Sequence, residues 1–269
     1  MAHKPGPKIL VLDIETKPIV SYTWGLFDQN VGLNQIKEDW SVLSFCAKWL
    51  GEKEVFYSDL RGQKDIKNDK PLLVKVWALL DEADILLTQN GNSFDIKKLN
   101  ARFVLNGMKP PSSYKRIDTL LIAKKMFKFT SNKLEYMTDK LCVKYKKLKH
   151  TRYPGFELWS AVMEGKLDAW KEMEKYNIHD VLSLEELYTK LAPWDNSINF
   201  GLYYLGTEDL QVCSCGAKGL ESFARYGYAY TQLGKFQRFQ CKHCGSETRS
   251  RTNLLLKEVK KDVRFRTVR

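Results

Sequence analysis

KILVLDIET, residues 8 to 16, is an aliphatic run that ends in two acids one residue apart. Side chains alternate along an extended strand, so Asp13 and Glu15 point to one face while Leu12 and Ile14 point to the other. Two carboxylates held side by side repel each other. Something positive belongs between them, and a divalent cation is the usual answer. A solvated strand end is the plainer alternative, and the rest of the chain decides between the two.

Composition narrows the field. A chain of 269 residues suits one large domain, or one domain with a small appendage. Its 43% hydrophobic and 28% charged residues are ordinary for a soluble globular protein. No apolar stretch approaches the roughly 18 residues of a membrane span, and MAHKPGPK at the N-terminus lacks the apolar core of a signal peptide. The expected location is therefore intracellular, cytoplasmic or nucleoid-associated, with no secretion and no membrane partner. Six cysteines, Cys46 and Cys142 isolated and four clustered late, fit a reducing compartment and a metal site better than a disulfide framework.

The net charge of +12 is unevenly spread. Residues 109 to 152 carry 13 Lys and Arg against 3 Asp and Glu, and residues 201 to 269 carry 13 against 6. The remainder, which includes Asp13 and Glu15, holds 18 basic against 23 acidic residues. A polyanion gripped by one surface while another holds metal ions would have this distribution.

Strand-like runs appear at KILVLDI, SVLSFCAKWL and EVFYSDL, the last two joined by a short GEK turn. A helical pattern runs from Pro71 through LLVKVWALLDEA, followed by a strand at ADILLTQN. Phe94 to Asn106 has helical spacing, with Phe94 expected to anchor the helix start in the core and Gly107 ending it. RIDTLLIAKKMFKF, NKLEYMTDKLCVKY, FELWSAVMEG and LDAWKEMEKYNIHDVLSLEELYTKLA read as further helices, the last stopping near Pro193. The order indicates an α/β fold, a mixed β-sheet flanked by α-helices. Lysines from Lys124 to Lys149, interleaved with Phe127, Phe129, Tyr136 and Tyr145, are expected on helices, some tracking phosphates.

Two more acidic motifs follow the first. NGNSFD, residues 90 to 95, puts Asp95 at a strand-to-helix junction, where α/β folds hold ligands, with Asn90 and Gly91 supplying the turn. YNIHD, residues 176 to 180, sets Tyr176 and Asp180 on one face of a helix. His179 faces another direction and reads as a surface or phosphate-contacting residue. Asp118 in RIDTL reads as a helix cap.

With these three motifs in order, residues 8 to 192 resemble the 3′-to-5′ proofreading exonucleases that use four acids and a tyrosine, the DEDDy branch of the ribonuclease H-like superfamily. NGNSFD is similar to the motif in the exonuclease domain of family B DNA polymerases. The resemblance implies a ribonuclease H-like fold and two Mg²⁺ or Mn²⁺ ions held by Asp13, Glu15, Asp95 and Asp180. It further implies that Asp13 is the shared ligand and that Tyr176 orients the attacking water. Asn90 and Phe94 are expected to contact nucleic acid.

Cys213 and Cys215, then 25 residues, then Cys241 and Cys244 read as a structural tetrahedral Zn²⁺ site of the zinc-ribbon type, with His243 the alternative ligand. The aromatic and basic residues between the pairs alternate as in a hairpin. Tyr226, Tyr228, Tyr230, Phe236 and Phe239 could stack bases or fill a small core, and Arg238 and Lys242 are the expected nucleic-acid contacts. The expected division is an exonuclease domain over residues 1–200, a zinc ribbon over 201–255 and a basic tail over 256–269. The expected substrate is single-stranded DNA or a frayed 3′ end. The rivals are the same chemistry on RNA and a non-catalytic nucleic-acid-binding adaptor.

Overall fold

A computed structural model describes residues 6–146, 152–204, 211–231 and 234–255. The basic tail, Lys147 to Lys149, and Leu233 of the expected hairpin turn lie outside the described residues. The chain divides into two compact units, Lys8–Tyr188 and a second that begins at Thr189 and takes in the residues before Lys8.

In chain order the first unit contains β1 (Ile9–Thr16), β2 (Val20–Ser21), β3 (Ile36–Glu38), β4 (Val42–Trp49), β5 (Val55–Asp59), α1 (Lys70–Glu82), β6 (Ile85–Thr88) and α2 (Asp95–Leu105). After these come β7 (Lys115–Asp118), α3 (Thr119–Met126), α4 (Leu134–Leu141), α5 (Glu157–Met163) and α6 (Leu167–Leu191), whose last turn passes into the second unit. The five-stranded sheet has the order β5-β4-β1-β6-β7. β1, β6 and β7 are parallel, while β4 and β5 run against them. The expected mixed sheet is therefore present, with the GEK hairpin forming its antiparallel edge.

The burial pattern explains the layering. All eight residues of β4 and all four of β6 are buried, as strands covered on both faces require. Leu73, Val76 and Leu80 of α1, Leu99 and Phe103 of α2 and Trp170 and Met173 of α6 belong to the same core. The start of α1 is fixed by a buried ion pair. Asp69 accepts from Arg102 Nε and Nη2, both at 2.7 Å, and from Val42 N at 2.9 Å, so the desolvated carboxylate is fully engaged.

Phe94 does not fill the core as expected. It sits 38% exposed just before α2, because the apolar stripe of that helix is set by Ile96, Leu99 and Phe103, on the other side of the helix from position 94. Of the described lysines between 124 and 146, only Lys124, Lys125 and Lys140 lie on helices. The expected helix RIDTLLIAKKMFKF splits into β7 and α3 and stops at Met126, and Phe127 and Phe129 stack on each other beyond it at 5.0 Å.

The second unit holds an antiparallel sheet of β8 (Phe223–Thr231), β9 (Gly234–Cys241) and β10 (Glu247–Asn253), in the order β10-β9-β8. Phe223 and Phe239 pack against the cysteines, whereas Tyr226, Tyr228 and Tyr230 are exposed. The small core thus takes two of the ribbon aromatics and leaves its tyrosines outside.

Candidate active site and metal centre

The acids of the three motifs are drawn together by three elements. Asp13 and Glu15 stand half-buried on β1, while Leu12 and Ile14 between and before them are buried. The parallel pairing of β1 with β6 ends at Val11 and Leu87. Beyond that point Asp95 Oδ1 accepts from Ile14 N at 3.2 Å, supplying the acceptor that a longer β6 would have offered. Asp95 is buried and so is held between the two acids of β1 along the chain.

The loop that delivers Asp95 is built with little latitude. Asn90 has φ +63, and a Cβ on Gly91 would lie 2.2 Å from Thr88 Oγ1, so only glycine fits there. Asp118 caps α3 through Leu120 N at 3.0 Å, as expected. It also accepts from Asn90 N at 2.9 Å and Asn92 N at 3.2 Å, so one carboxylate braces both α3 and the second motif. Asn90 is exposed beside a cleft of about 450 Å³, which it lines with Gln89, Leu120, Asn132 and Lys133. Phe94 lies within 5.4 Å of Lys98 Nζ.

α6 supplies the rest. Tyr176 and Asp180 are both buried, and Tyr176 is edge-on to Trp159 at 6.4 Å. Burial raises the Tyr176 phenol well above its ordinary value, and Asp180, Glu15, Asp13 and the hydrogen bond to Asp180 raise it further. The hydroxyl is therefore a donor and not a base. Sequence reading passed over Asn177. Its Nδ2 donates to Asp13 Oδ2 at 2.6 Å, and its Oδ1 accepts from Ser44 Oγ at 3.2 Å, which fixes the orientation of the amide. The available signal was an Asn three residues before Asp180, on the buried side of the helix. His179 is half-buried, edge-on to Tyr145 at 5.9 Å.

Electrostatics binds these residues into one site. Burial lifts the Asp13 carboxyl well above its usual range, and Asp95, Glu15 and Asp180 then lift it further, in that order. Asp95 is pushed up to about 7, chiefly by burial. Hard carboxylate oxygens whose charges converge on Asp13 suit a divalent cation of the Mg²⁺ class, which would relieve the repulsion.

The cysteines form the tighter centre. Cys213 and Cys244 Sγ are 3.5 Å apart, Cys215 and Cys241 Sγ 3.8 Å, and all four sulfurs lie within 4.8 Å of one another. Two turns present them, closed by Gly216 N to Cys213 O and Gly245 N to Cys241 O, both at 2.9 Å. Both glycines have positive φ. The C-x-C half closes a turn one residue tighter than the C-x-x-C half, and each ends on a glycine of positive φ. His243 is exposed and outside the tetrad. Four thiols at this spacing could bind zinc. Among the described residues no other group brings three potential ligand atoms so close, and the four acids stand further apart. Arg238 Nε donates to Tyr226 O at 2.8 Å, its guanidinium lies over the Tyr226 ring at 4.7 Å, and Lys242 is exposed.

With fold and site in view, the chain can be placed. The sequence profile of the RNase_H superfamily matches residues 10–192, so the chain belongs to that superfamily. Members usually use divalent metals. The chain is similar to the DNA polymerase III PolC-type of Ureaplasma parvum serovar 3, 27% identical over 205 residues, which are 68% of this chain and 14% of that protein. It also resembles the family B DNA polymerase from the hyperthermophilic archaeon Pyrobaculum calidifontis, with a TM-score of 0.50 and 15% identity over 70% of this chain and 25% of that one. The chain thus spans a small part of each relative, and the second likeness is one of fold. Among the described residues no helix is long and apolar enough to cross a membrane.

Proposed function

We propose that this protein is a metal-dependent 3′-to-5′ exonuclease that hydrolyses phosphodiester bonds of single-stranded DNA or frayed DNA ends. The observation that carries this reading is the convergence on Asp13, where Asn177 from α6 donates to its carboxylate, Asp95 accepts from the adjoining Ile14 N, and the charges of Asp95, Glu15 and Asp180 all act on it. Residues 1–200 would carry the chemistry, residues 201–255 would form a zinc ribbon that helps to hold nucleic acid, and 256–269 would be a basic tail.

Asp13, Glu15, Asp95 and Asp180 would hold two Mg²⁺ or Mn²⁺ ions, Asp13 shared between them. Bound there, the ions supply a nucleophilic water near neutral pH and stabilise the leaving oxygen. The chain's own groups do the positioning. Asn177 turns the Asp13 carboxylate, and the backbone N–H of Ile14 orients Asp95. Tyr176, protonated throughout the working pH range, would orient the attacking water through its hydroxyl, acting as a hydrogen-bonding group and not as a base. Asn90 and Phe94, exposed at the mouth of the second motif, would meet the strand's last nucleotides. In the ribbon, Cys213, Cys215, Cys241 and Cys244 would hold Zn²⁺, and Arg238 and Lys242 would meet phosphates. The rival substrate is RNA, because nothing in the site distinguishes a 2′-hydroxyl.

The test is degradation of single-stranded DNA, duplex DNA and RNA, each labelled at either end, with Mg²⁺, Mn²⁺ or EDTA. Metal-dependent shortening of DNA from its 3′ end is expected. Shortening of RNA alone would transfer the activity to the rival, and no shortening in any arm would leave the adaptor reading.

A further inference from the structure

The strands that carry and face the first acidic motif do not stop at the edge of the sheet. Pairing of β1 with β4 runs from Leu10 and Trp49 to Thr16 and Val42. It continues through Lys17 N to Ser41 O at 2.8 Å, through β2 with β3, and ends at Tyr22 N to Gln35 O at 3.0 Å. The result is one long hairpin arm that leaves the sheet at the carboxyl end of β1, the end at which Asp13, Glu15 and Asp95 lie.

The arm is built and not slack. At its root the buried Lys17 ammonium pairs with Glu38, which Lys67 also reaches at 2.8 Å. Near its tip Gln35 closes a turn, with its Oε1 accepting from Gly32 N at 2.7 Å and its Nε2 donating to Tyr22 O at 3.1 Å. Gln29 Nε2 donates to Phe27 O at 2.7 Å. Yet the tip exposes Trp24 (98%), Leu26 (93%), Phe27 and Leu33. Polar groups satisfied inside the turn while large apolar side chains face outward mark a surface made for contact.

Charge says what that contact is. Between Lys17 and Lys37 there is no Lys or Arg and a single acid, Asp28. Such a tip cannot grip phosphates from the side. What it matches is the flat face of a base, and base faces are presented where a stack ends. We propose that the arm meets the end of a duplex, with Trp24 and Phe27 stacking on the terminal base pair so that the 3′ strand separates toward the acids. This rests on the exonuclease reading and adds a duplex-end function to it.

The test compares native protein with a Trp24→Ser/Phe27→Ser variant, whose fold is checked by its melting temperature because both positions are exposed. On blunt duplex DNA, cleavage by the variant should fall by about tenfold, the order of loss that one base–aromatic stack carries. Trimming of single-stranded DNA should change by less than about twofold. A second readout uses duplex with 2-aminopurine at its last pair, in Ca²⁺ without turnover; the native protein should brighten it and the variant should not. Equal loss on both substrates, or no loss on duplex, overturns the proposal, as does loss of self-association in sedimentation with cleavage intact. If the native protein degrades nothing, the exonuclease reading fails first, and the 2-aminopurine signal still decides the arm.

Discussion

The two candidate metal centres are assembled in opposite ways. The thiols of Cys213, Cys215, Cys241 and Cys244 come from two short turns and converge within 4.8 Å, whereas the acids come from β1, the start of α2 and the middle of α6 and stand further apart. Soft ligands at one point suit a single tetrahedral ion, and hard ligands spread over a wider space suit ions that keep their water. The folding logic also differs. The acids are positioned by a core that exists without metal, built of residues such as Leu10, Leu43, Leu86 and Trp170. Among the described residues, the ribbon has the cysteines, Phe223 and a few partly buried neighbours such as Phe239 behind it.

The largest effect therefore falls on the ribbon. If the tetrad holds Zn²⁺ as proposed, its removal by a strong chelator, or Cys241→Ser, should unfold the three-stranded sheet, since structural zinc in small modules carries about 10–16 kcal/mol of folding free energy. Amide exchange should show protection lost over 211–255 and kept in β1, β4 and β6. Loss of protection in both units would mean that the division drawn here is wrong.

At the acids, the fold should survive and the chemistry should not. Asp13→Ala is expected to lower hydrolysis by about 10³-fold or more, because the ions' several kcal/mol of charge stabilisation is lost and each ~1.4 kcal/mol is tenfold. Asp13→Asn should cost more than Glu15→Gln, since Asp13 feels all three other acids and is held by Asn177. Equal rates for those two variants would remove the case for Asp13 as the shared ligand.

The same contrast explains what the sequence could disclose. The cysteines were legible because their chemistry is local, with two pairs at fixed spacing. As candidates, Asp13, Glu15, Asp95 and Asp180 stand out because each sits at a place where period or turn chemistry is strong: a strand's alternation, an Asn-Gly turn, a helix face. What escaped was tertiary. No spacing connects Ser44, Asn177 and Asp13, which meet only after 133 residues of chain return to β4. Phe94 departs from expectation because the buried stripe of α2 starts at Ile96, on the other side of the helix from it. Asp118 was read rightly as a cap, but its second duty toward Asn90 depends on β6 and β7 lying side by side.

Asn177 gives the next, smaller break. Asn177→Ala removes the donor to Asp13 and strands Ser44, so kcat should fall by about 10–100-fold, as for other partners that orient metal ligands, while KM for DNA stays near native. Asp118→Ala should act on stability instead. Three backbone N–H groups lose their acceptor, which costs about 1–3 kcal/mol, read as a lower midpoint in urea denaturation.

The smallest effect is one of sign. Asp13 is raised above its ordinary value and Asp95 to about 7, so the metal-free folded protein holds protons that the unfolded chain releases near pH 4. Between those pH values the native state binds more protons than the unfolded one, and stability must fall as pH rises. Melting temperatures of the zinc-loaded protein freed of Mg²⁺ by dialysis should thus be higher at pH 5.5 than at pH 8 by this contribution. Mg²⁺ or Ca²⁺ binds the deprotonated carboxylates, so its addition should raise the melting temperature more at pH 8 than at pH 5.5. Asp95→Asn should flatten both trends. If Mg²⁺ stabilises equally at the two pH values, the acids are not its ligands, and the contrast between a hard, proton-coupled centre and a thiolate one disappears.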